Sequence, residues 1–121
     1  MNLAPSLGAQ EVFQGLDYVM DEARQRGLKV ILAFGSNWTP VGGIPQYLQW
    51  AGTADRQQFY VSPQIIGWYK DWISTLIRRV NSINGRVYRD DPTIMAFDLL
   101  NEPRCVGCPK GGWVLPRLAA P

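Results

Sequence analysis

The sequence predicts an α/β fold built on a pair of parallel strands, and three observations carry that prediction. Residues 28–35 and 93–100 are apolar runs with the length and composition of buried strands. Between them, residues 63–80 repeat apolar side chains at helical spacing. Strand, helix and strand in that order form a βαβ unit, whose two strands are expected to lie parallel in a sheet covered on both faces.

The elements before the second helix follow from spacing and from breaker residues. Apolar residues recur every three to four positions over residues 10–26, which predicts a helix, and Gly27 stops it. After the first strand, residues 36–61 contain Gly42-Gly43, prolines and several aromatic residues without a clear period. We therefore expect a long irregular loop, and its length and aromatic content favour a functional role.

The second helix and the second strand have clear boundary signals. Ser62-Pro63 predicts the start of the helix, with Ser as the N-cap and Pro in the first turn. Asn84-Gly85 is expected to end this helix. Asp90-Asp91-Pro92 predicts a turn into the second strand, in which both aspartates are turn or cap residues rather than catalytic ones.

Composition excludes several classes of function. Hydrophobic residues make up 46% of the 121 residues, as in a globular chain, and a net charge of +2 gives no electrostatic argument for nucleic acid or an anionic membrane. The absence of histidine excludes His-based triads and imidazole metal ligands. No apolar run is long enough to span a membrane, and residues 1–10 lack the basic and apolar regions of a signal peptide. We expect neither a cofactor nor a metal.

Cys105 and Cys108 form a C-x-x-C spacing near the C-terminal end. A zinc site needs four ligands, and the chain offers no second pair. A redox pair would open a helix, whereas Pro109 follows here. We therefore interpret the pair as incidental or as a local disulfide, and keep a small metal or interaction module as an alternative. Residues 106–121 are expected to form an irregular tail.

The strongest chemical feature is Asn101-Glu102-Pro103, which follows directly on the second apolar run. Parallel sheets carry their chemistry just beyond the carboxyl ends of their strands, and Pro103 stops the strand there. A carboxyl group half shielded from water is well placed to hold or deliver a proton. A chance acid at a strand end is the alternative interpretation, and the tripeptide alone does not exclude it.

Three separate motifs resemble the plant-type endo-β-1,4-mannanases of glycoside hydrolase family 5. They are EVFQGLDYV at residues 11–19, Gly42-Gly43 with QYLQWA at residues 46–51, and DDPTIMAFDLLNEPRC at residues 90–105. The resemblance implies a fragment of a (β/α)8 TIM barrel covering about the third and fourth strands and their helices. It further implies retaining hydrolysis of internal β-1,4-mannosidic bonds in mannan, with residues 1–105 as a partial glycoside hydrolase domain.

The resemblance also implies roles for individual residues. Glu102 matches the family's proton donor, the general acid/base, and Asn101 the amide that binds the sugar beside the scissile bond. Asn37 and Trp38 match positions that line the cleft, where Trp38 would stack on a sugar ring. For Tyr47 and Trp50, packing of the long loop is at least as good an interpretation. A mannan or another β-1,4-linked polysaccharide is the expected partner, and the resemblance implies an extracellular protein.

The expected chemistry is incomplete in this chain. A (β/α)8 barrel takes about 250 residues, and the family's nucleophilic Glu has no counterpart here, so we expect a partial chain that is inactive alone. Asp98 cannot replace it, because four residues of strand span about 13 Å and a retaining pair needs about 5–5.5 Å. Free strand edges favour self-association. A non-catalytic carbohydrate-binding remnant and a different β-1,4-glycanase, such as a cellulase, remain alternatives.

Overall fold

The computed structural model describes residues 7–39 and 43–104. Its elements, in chain order, are α1 (Leu7–Gln25), β1 (Val30–Ala33), α2 (Gly43–Trp50), α3 (Gln58–Val61), α4 (Pro63–Ile77), a 3₁₀ turn (Tyr88–Asp90) and β2 (Ile94–Asp98). The predicted βαβ order is confirmed, with α4 as the connecting helix. The predictions for Cys105, Cys108 and residues 106–121 lie outside the described residues.

The two strands pair directly with each other. The backbone N–H of Val30 donates to the carbonyl of Thr93 at 2.9 Å, at the start of the pairing. Beyond the strands, a parallel bridge between Ser36 and Asn101 extends it. The pair is parallel, as predicted, and the carboxyl ends of both strands lie side by side.

The expected cover on both faces of the sheet is wrong for the described part of the chain. Ile31 in β1 and Met95 in β2 are 61% and 64% exposed. Both strands are also shorter than the apolar runs that predicted them, residues 28–35 and 93–100. The apolar pattern fits a strand that is buried on both sides, while the described residues supply cover for only part of that surface.

The chain divides into two compact units, each of which has its own core. In the described residues, the first unit comprises residues 7–31 and 76–96, and the second comprises residues 32–39, 43–75 and 97–104. The strands contribute their first residues to the first unit and their last residues to the second.

In the first unit, the core surrounds one carboxylate on α1. Asp17 is 0% exposed and receives Arg79 Nε at 2.7 Å and Nη2 at 2.5 Å, with the Tyr88 hydroxyl at 2.8 Å. Ser82 donates both its N–H and its hydroxyl, and Asn81 binds the Asp17 main-chain oxygen. Burial opposes ionisation, but these hydrogen bonds outweigh it and lower the pKa of Asp17 to about 2.

In the second unit, the core is aromatic. Phe59 packs edge-on against Tyr47, Tyr60 and Tyr69, with ring centroids 5.1–5.6 Å apart. Tyr60 and Tyr69 are almost fully buried, and burial raises the pKa of both hydroxyls. Edge-to-face geometry is the favoured arrangement of such rings, so the cluster holds α2, α3 and α4 together.

Two side chains of α4 hold the ends of the strands through main-chain atoms. Trp72 Nε1 donates to the carbonyl of Phe34 at 2.7 Å, and the Tyr69 hydroxyl donates to the carbonyl of Leu99. Phe34 also stacks on Phe97 at 5.3 Å between centroids. The helix therefore fixes the points at which both strands end.

Two predicted elements differ from the structure. Residues 36–61 are not one irregular loop, because α2 and α3 form there. Ile44 and Leu48 are buried one turn apart on α2, a helical spacing that is too short to be recognised in a Gly- and Pro-containing sequence. Gln58–Val61 adds one more turn, so the connection is compact rather than extended.

The end of α4 is the second difference. The helix ends at Ile77 rather than at Asn84-Gly85. Asn81 explains the turn that follows, because its side-chain oxygen accepts the N–H groups of Ile83 and Asn84. Such local side-chain bonds compete with helix continuation.

The turn before β2 is as predicted for Asp91, whose carboxylate accepts the N–H of Thr93 at 2.9 Å. Asp90 is exposed and pairs with Arg89. Over residues 7–39 and 43–104, no helix is long and apolar enough to cross a membrane. The same ranges contain no cluster of three or more metal-ligating His, Cys, Asp or Glu side chains.

Candidate functional site

The site is built where β1 and β2 end. Asn101 N–H donates to the carbonyl of Gly35 at 3.0 Å, and Asn37 N–H donates to the carbonyl of Asn101 at 3.0 Å. The Asn101 side-chain amide also lies 3.3 Å from the Ser36 hydroxyl. These bonds fix the register of the two segments that leave the sheet, so their next residues come together.

Glu102 and Trp38 meet at this point. Trp38 Nε1 donates to Glu102 Oε2 at 2.9 Å, across 64 positions of sequence. Arg104 Nη2 lies 3.7 Å from the same oxygen, and the Arg104 guanidinium lies 5.5 Å from the Trp38 ring centroid. The Glu102 side chain is 52% exposed and Trp38 is 46% exposed. The carboxyl is therefore held by a donor and a cation while a ligand can still reach it.

The backbone at Glu102 is strained. Its φ is 50°, which makes it the only non-glycine residue with positive φ in the described part of the chain. A left-handed conformation is uncommon for a long side chain, and the following Pro103 disfavours helical backbone angles still further. Such a residue costs about 1–3 kcal/mol and persists where surrounding contacts fix it, which is common at functional sites.

Asn37 is placed differently from the other candidate residues. It is 3% exposed, and its side-chain oxygen and its main-chain oxygen both accept Arg56 Nη2 at 2.8 Å. Asn101, Glu102 and Trp38 are exposed, as a substrate contact requires, whereas Asn37 is bonded inside the second unit. The structure thus brings all four predicted residues to the strand ends but presents three of them to solvent.

Three further residues contact the segments that form the site. Arg56 and Tyr60, whose hydroxyl donates to the carbonyl of Arg104 at 3.2 Å, did not stand out in the sequence, whereas Gly43 belongs to a motif quoted above. At Gly43 a Cβ would lie 2.0 Å from the Trp38 carbonyl oxygen, so only glycine permits this approach of α2. The Gly42-Gly43 pair was the one local signal for this contact; nothing local pointed to the other two.

Tyr47 and Trp50 pack as the structural interpretation expects. Their rings are 5.4 Å apart, and Tyr47 also meets Tyr69 edge-on at 5.8 Å. Burial raises the pKa of Tyr47 to about 12, which keeps its hydroxyl protonated over the ordinary pH range. Tyr47 belongs to the aromatic core that supports the site, whereas Trp50 is 50% exposed and packs against the edge of that core.

The titratable side chain at the centre of the site is the half-exposed carboxyl of Glu102. The polar contacts of the Glu102 carboxylate within residues 7–39 and 43–104 are with Trp38 and Arg104. Asp98, the nearest acid along β2, accepts the N–H of Leu100 at 3.2 Å and so serves the end of the strand. One half-exposed carboxyl beside an indole that is both a hydrogen-bond donor and a flat apolar surface can exchange a proton with a hydroxylated ligand.

Comparison with known proteins defines the family. A family model described as "GH family 5 beta-mannosidase-like" matches residues 2–113, and the chain belongs to this glycoside hydrolase family. Mannan endo-1,4-beta-mannosidase 1 of Oryza sativa subsp. japonica is 43% identical over 110 residues. That match covers 87% of this chain and 26% of the rice protein, so the chain spans about a quarter of the length of such relatives.

Solved structures give the same family. An endo-beta-1,4-mannanase from Thermotoga petrophila superposes with a TM-score of 0.75 at 42% identity, over 77% of this chain and 20% of that one. An endo-1,4-beta-mannanase from Rhizomucor miehei superposes with a TM-score of 0.73 at 36% identity, over 75% of this chain and 26% of that one. The family resemblance of the sequence motifs is thereby confirmed.

Proposed function

We propose that this chain carries the acid/base part of a mannan endo-1,4-β-mannosidase, with Glu102 as the proton donor. The observation that carries the proposal is the bond from Trp38 Nε1 to Glu102 Oε2, made where two paired parallel strands end. In this proposal β1 and β2 correspond to about the third and fourth strands of a (β/α)8 barrel, and residues 1–105 form part of that domain. Mannan is the substrate and the site of action is extracellular.

The proposed chemistry begins with a protonated Glu102. Its proton passes to the glycosidic oxygen as the bond from that oxygen to the anomeric carbon breaks, and that carbon bonds to a second carboxylate outside this chain, so the Glu102 carboxyl becomes a carboxylate. The Trp38 N–H at 2.9 Å and Arg104 at 3.7 Å then stabilise the negative charge that has formed. In the second half of the reaction the same carboxylate takes a proton from water, whose oxygen bonds to the anomeric carbon and releases the second carboxylate.

Asn101 and Trp38 are proposed as sugar contacts. The exposed amide of Asn101 lies beside Glu102 on the backbone, within reach of a hydroxyl next to the scissile bond. The half-exposed Trp38 ring offers a flat apolar face for a pyranose. The retaining reaction also needs a second carboxylate about 5–5.5 Å away, which the remaining part of the barrel would supply. The chain by itself is therefore expected to be inactive.

A chimera tests the proposal. The segment of the rice enzyme that matches this chain is replaced by residues 3–104, and turnover of mannan is measured with and without Glu102→Gln. We expect Glu102→Gln to lower kcat on mannan about 10²–10⁴-fold, the usual contribution of general acid–base catalysis. An aryl mannoside with a good leaving group should lose much less in its first step, because it needs no proton donor.

Asp90→Asn is the matched control, since Asp90 is an exposed carboxylate before β2 rather than after it. It should leave the chimera unchanged. Full activity of the Glu102→Gln chimera contradicts the proposed role. For the chain alone, release of shorter sugars from mannohexaose that disappears in Glu102→Gln would overturn the expected inactivity. Calorimetry with mannooligosaccharides and cellooligosaccharides, with Trp38→Ala as control, separates sugar binding from turnover and mannan from glucan preference.

A further inference from the structure

Arg56 connects the site to the segment between α2 and α3. Its Nη2 donates to both the main-chain oxygen and Oδ1 of Asn37, at 2.8 Å each. Asn37 comes directly before Trp38, and its own N–H donates to the carbonyl of Asn101. One guanidinium group therefore holds the residue that joins the first strand end to the second and that leads into Trp38.

We propose that Arg56 is a positioning residue for the acid/base carboxyl. It fixes Asn37, and through Asn37 it keeps the Trp38 indole within hydrogen-bond distance of Glu102. The role given to Arg56 rests on the proposed function of Glu102. Asn37 then connects Arg56 to Trp38. This role accounts for the burial of Asn37 at a site whose other residues are exposed.

The chemistry of both partners favours this role. A guanidinium stays ionised at every working pH, and its terminal nitrogen carries two hydrogens, one for each Asn37 oxygen. Asn37 is 3% exposed, so water does not readily replace a lost donor. A buried carbonyl left without a partner is costly, and the segment would shift to find one. Any such shift moves Trp38, because it is the next residue.

Residues 56–60 also hold the segment that follows β2. Burial raises the pKa of Tyr60, and its hydrogen bond with Arg104 and the charge of Arg56 act in the opposite direction. The Tyr60 hydroxyl donates to the carbonyl of Arg104, two residues after Glu102. Residues 56–60 therefore contact the segment that follows β1 and the segment that follows β2. These contacts give the long connection between β1 and α4 a structural role.

The bond between Trp38 and Glu102 is sensitive to such support. It is 2.9 Å long, and a displacement of about 1 Å would take it beyond hydrogen-bond distance. Misplacement of this size at a catalytic group is known to cost up to about a hundredfold in rate. Removal of Arg56 should therefore be seen first as a loss of contact between the indole and the carboxylate.

Nuclear magnetic resonance on the ¹⁵N-labelled chain measures that contact without any turnover. The indole N–H resonance of Trp38, assigned by its loss in Trp38→Phe, should move as Glu102 titrates, and Glu102→Gln should abolish the movement. Arg56→Gln is expected to at least halve the pH-dependent shift, and Arg56→Lys to restore part of it. Arg104, the other charged group that faces Glu102, is the same in all variants. Arg89→Gln, which removes an exposed ion pair with Asp90, should change nothing.

An undiminished shift in a folded Arg56→Gln chain would overturn the positioning role. If circular dichroism shows that Arg56→Gln does not fold, Asn37→Ala decides, because it removes one of the two acceptors and keeps the guanidinium. A smaller shift in Asn37→Ala then supports the proposal, and an unchanged shift contradicts it. In the chimera, Arg56→Gln should lower kcat on mannan about tenfold with KM unchanged. A chimera in which Glu102→Gln is silent while the shift still depends on Arg56 would refute the proposed function alone.

Discussion

Asp17 in the first unit and Glu102 in the second are carboxylates in opposite situations. Asp17 is fully buried, and Arg79, Ser82 and Tyr88 together supply five donor groups to its two oxygens. Glu102 is half exposed, has one hydrogen bond from an indole, and occupies a left-handed backbone conformation. The Asp17 carboxylate has no room for a ligand. The Glu102 carboxyl has room for one, and its left-handed backbone conformation costs free energy.

The difference shows how one chain uses the same functional group for stability and for chemistry. When internal donors bind both oxygens of a carboxylate, they lower its pKa, and the carboxylate holds together the segments that carry those donors. A carboxylate that keeps a free side can exchange a proton with a ligand. Exposure and donor count, rather than residue type, separate the two roles, and four measurements can break or sharpen this comparison.

The largest effect is expected at Asp17. Asp17→Ala removes one partner of a buried ion pair and leaves Arg79 uncompensated, which should lower the free energy of unfolding by about 3–5 kcal/mol. Urea denaturation followed by circular dichroism measures this. Glu22→Gln is the control, because its ion pair with Arg26 is exposed and should contribute less than about 0.5 kcal/mol. If Asp17→Ala lowers the free energy of unfolding no more than Glu22→Gln does, Asp17 is not the structural carboxylate that the comparison with Glu102 requires.

Gly43→Ala should have the next largest effect. A Cβ there would meet main-chain oxygens of Trp38 and Ser36, at 2.0 and 2.5 Å, and neither can move without moving the strand end. We expect a loss of about 3 kcal/mol, the upper part of the range for overpacking, together with a weaker indole contact to Glu102. Gly67→Ala on α4 is a matched control with nothing within 4 Å, and it should stabilise by about 0.5–1 kcal/mol.

Acid should destabilise the first unit through Asp17. Its pKa is lowered to about 2 from 3.8, so between these values the folded chain binds fewer protons at Asp17 than the unfolded chain does. The resulting stability is fully present above the unfolded value near pH 4 and is lost as the pH falls through about 2. The loss should be about 2 kcal/mol. Urea midpoints at pH 6, 4 and 2 measure it, and Asp17→Asn should show a correspondingly flatter profile.

The smallest effect is expected at Glu102, with the opposite sign. Glu102→Asn keeps a polar side chain and tolerates the left-handed conformation better, so it should raise the free energy of unfolding by about 0.5–1 kcal/mol. Thermal unfolding of the two chains compares them directly. Stabilisation on removal of the acid is the signature of a residue kept for chemistry. A clear loss of stability would instead place Glu102 with Asp17 as a structural group.

Much of this arrangement was visible in the sequence because it depends on local pattern. The apolar runs gave both strands, and the position of Asn101-Glu102 directly after β2 placed the acid at the carboxyl end of the sheet. The family resemblance implied that Trp38 after β1 lines the same cleft, and the structure brings its indole to Glu102.

The supporting contacts could not be predicted in the same way. Nothing in the sequence pattern pairs Arg79 with Asp17, yet the two residues bond across 62 positions. No motif singles out Arg56, and only the folded backbone shows that it reaches two oxygens of Asn37. Long-range ion pairs leave no periodic signal, because their spacing along the chain is set by tertiary structure rather than by a repeat.

The two anchors of α4 have a consequence for sequence variation. Trp72 and Tyr69 bond to the carbonyls of Phe34 and Leu99, which are main-chain atoms. A peptide carbonyl is present whatever side chain its residue carries, so substitutions at those two positions leave both anchors with a partner. The residues at the carboxyl ends of the strands can therefore diversify during evolution and acquire new contacts for a ligand. Throughout, α4 keeps the same two main-chain hydrogen-bond acceptors.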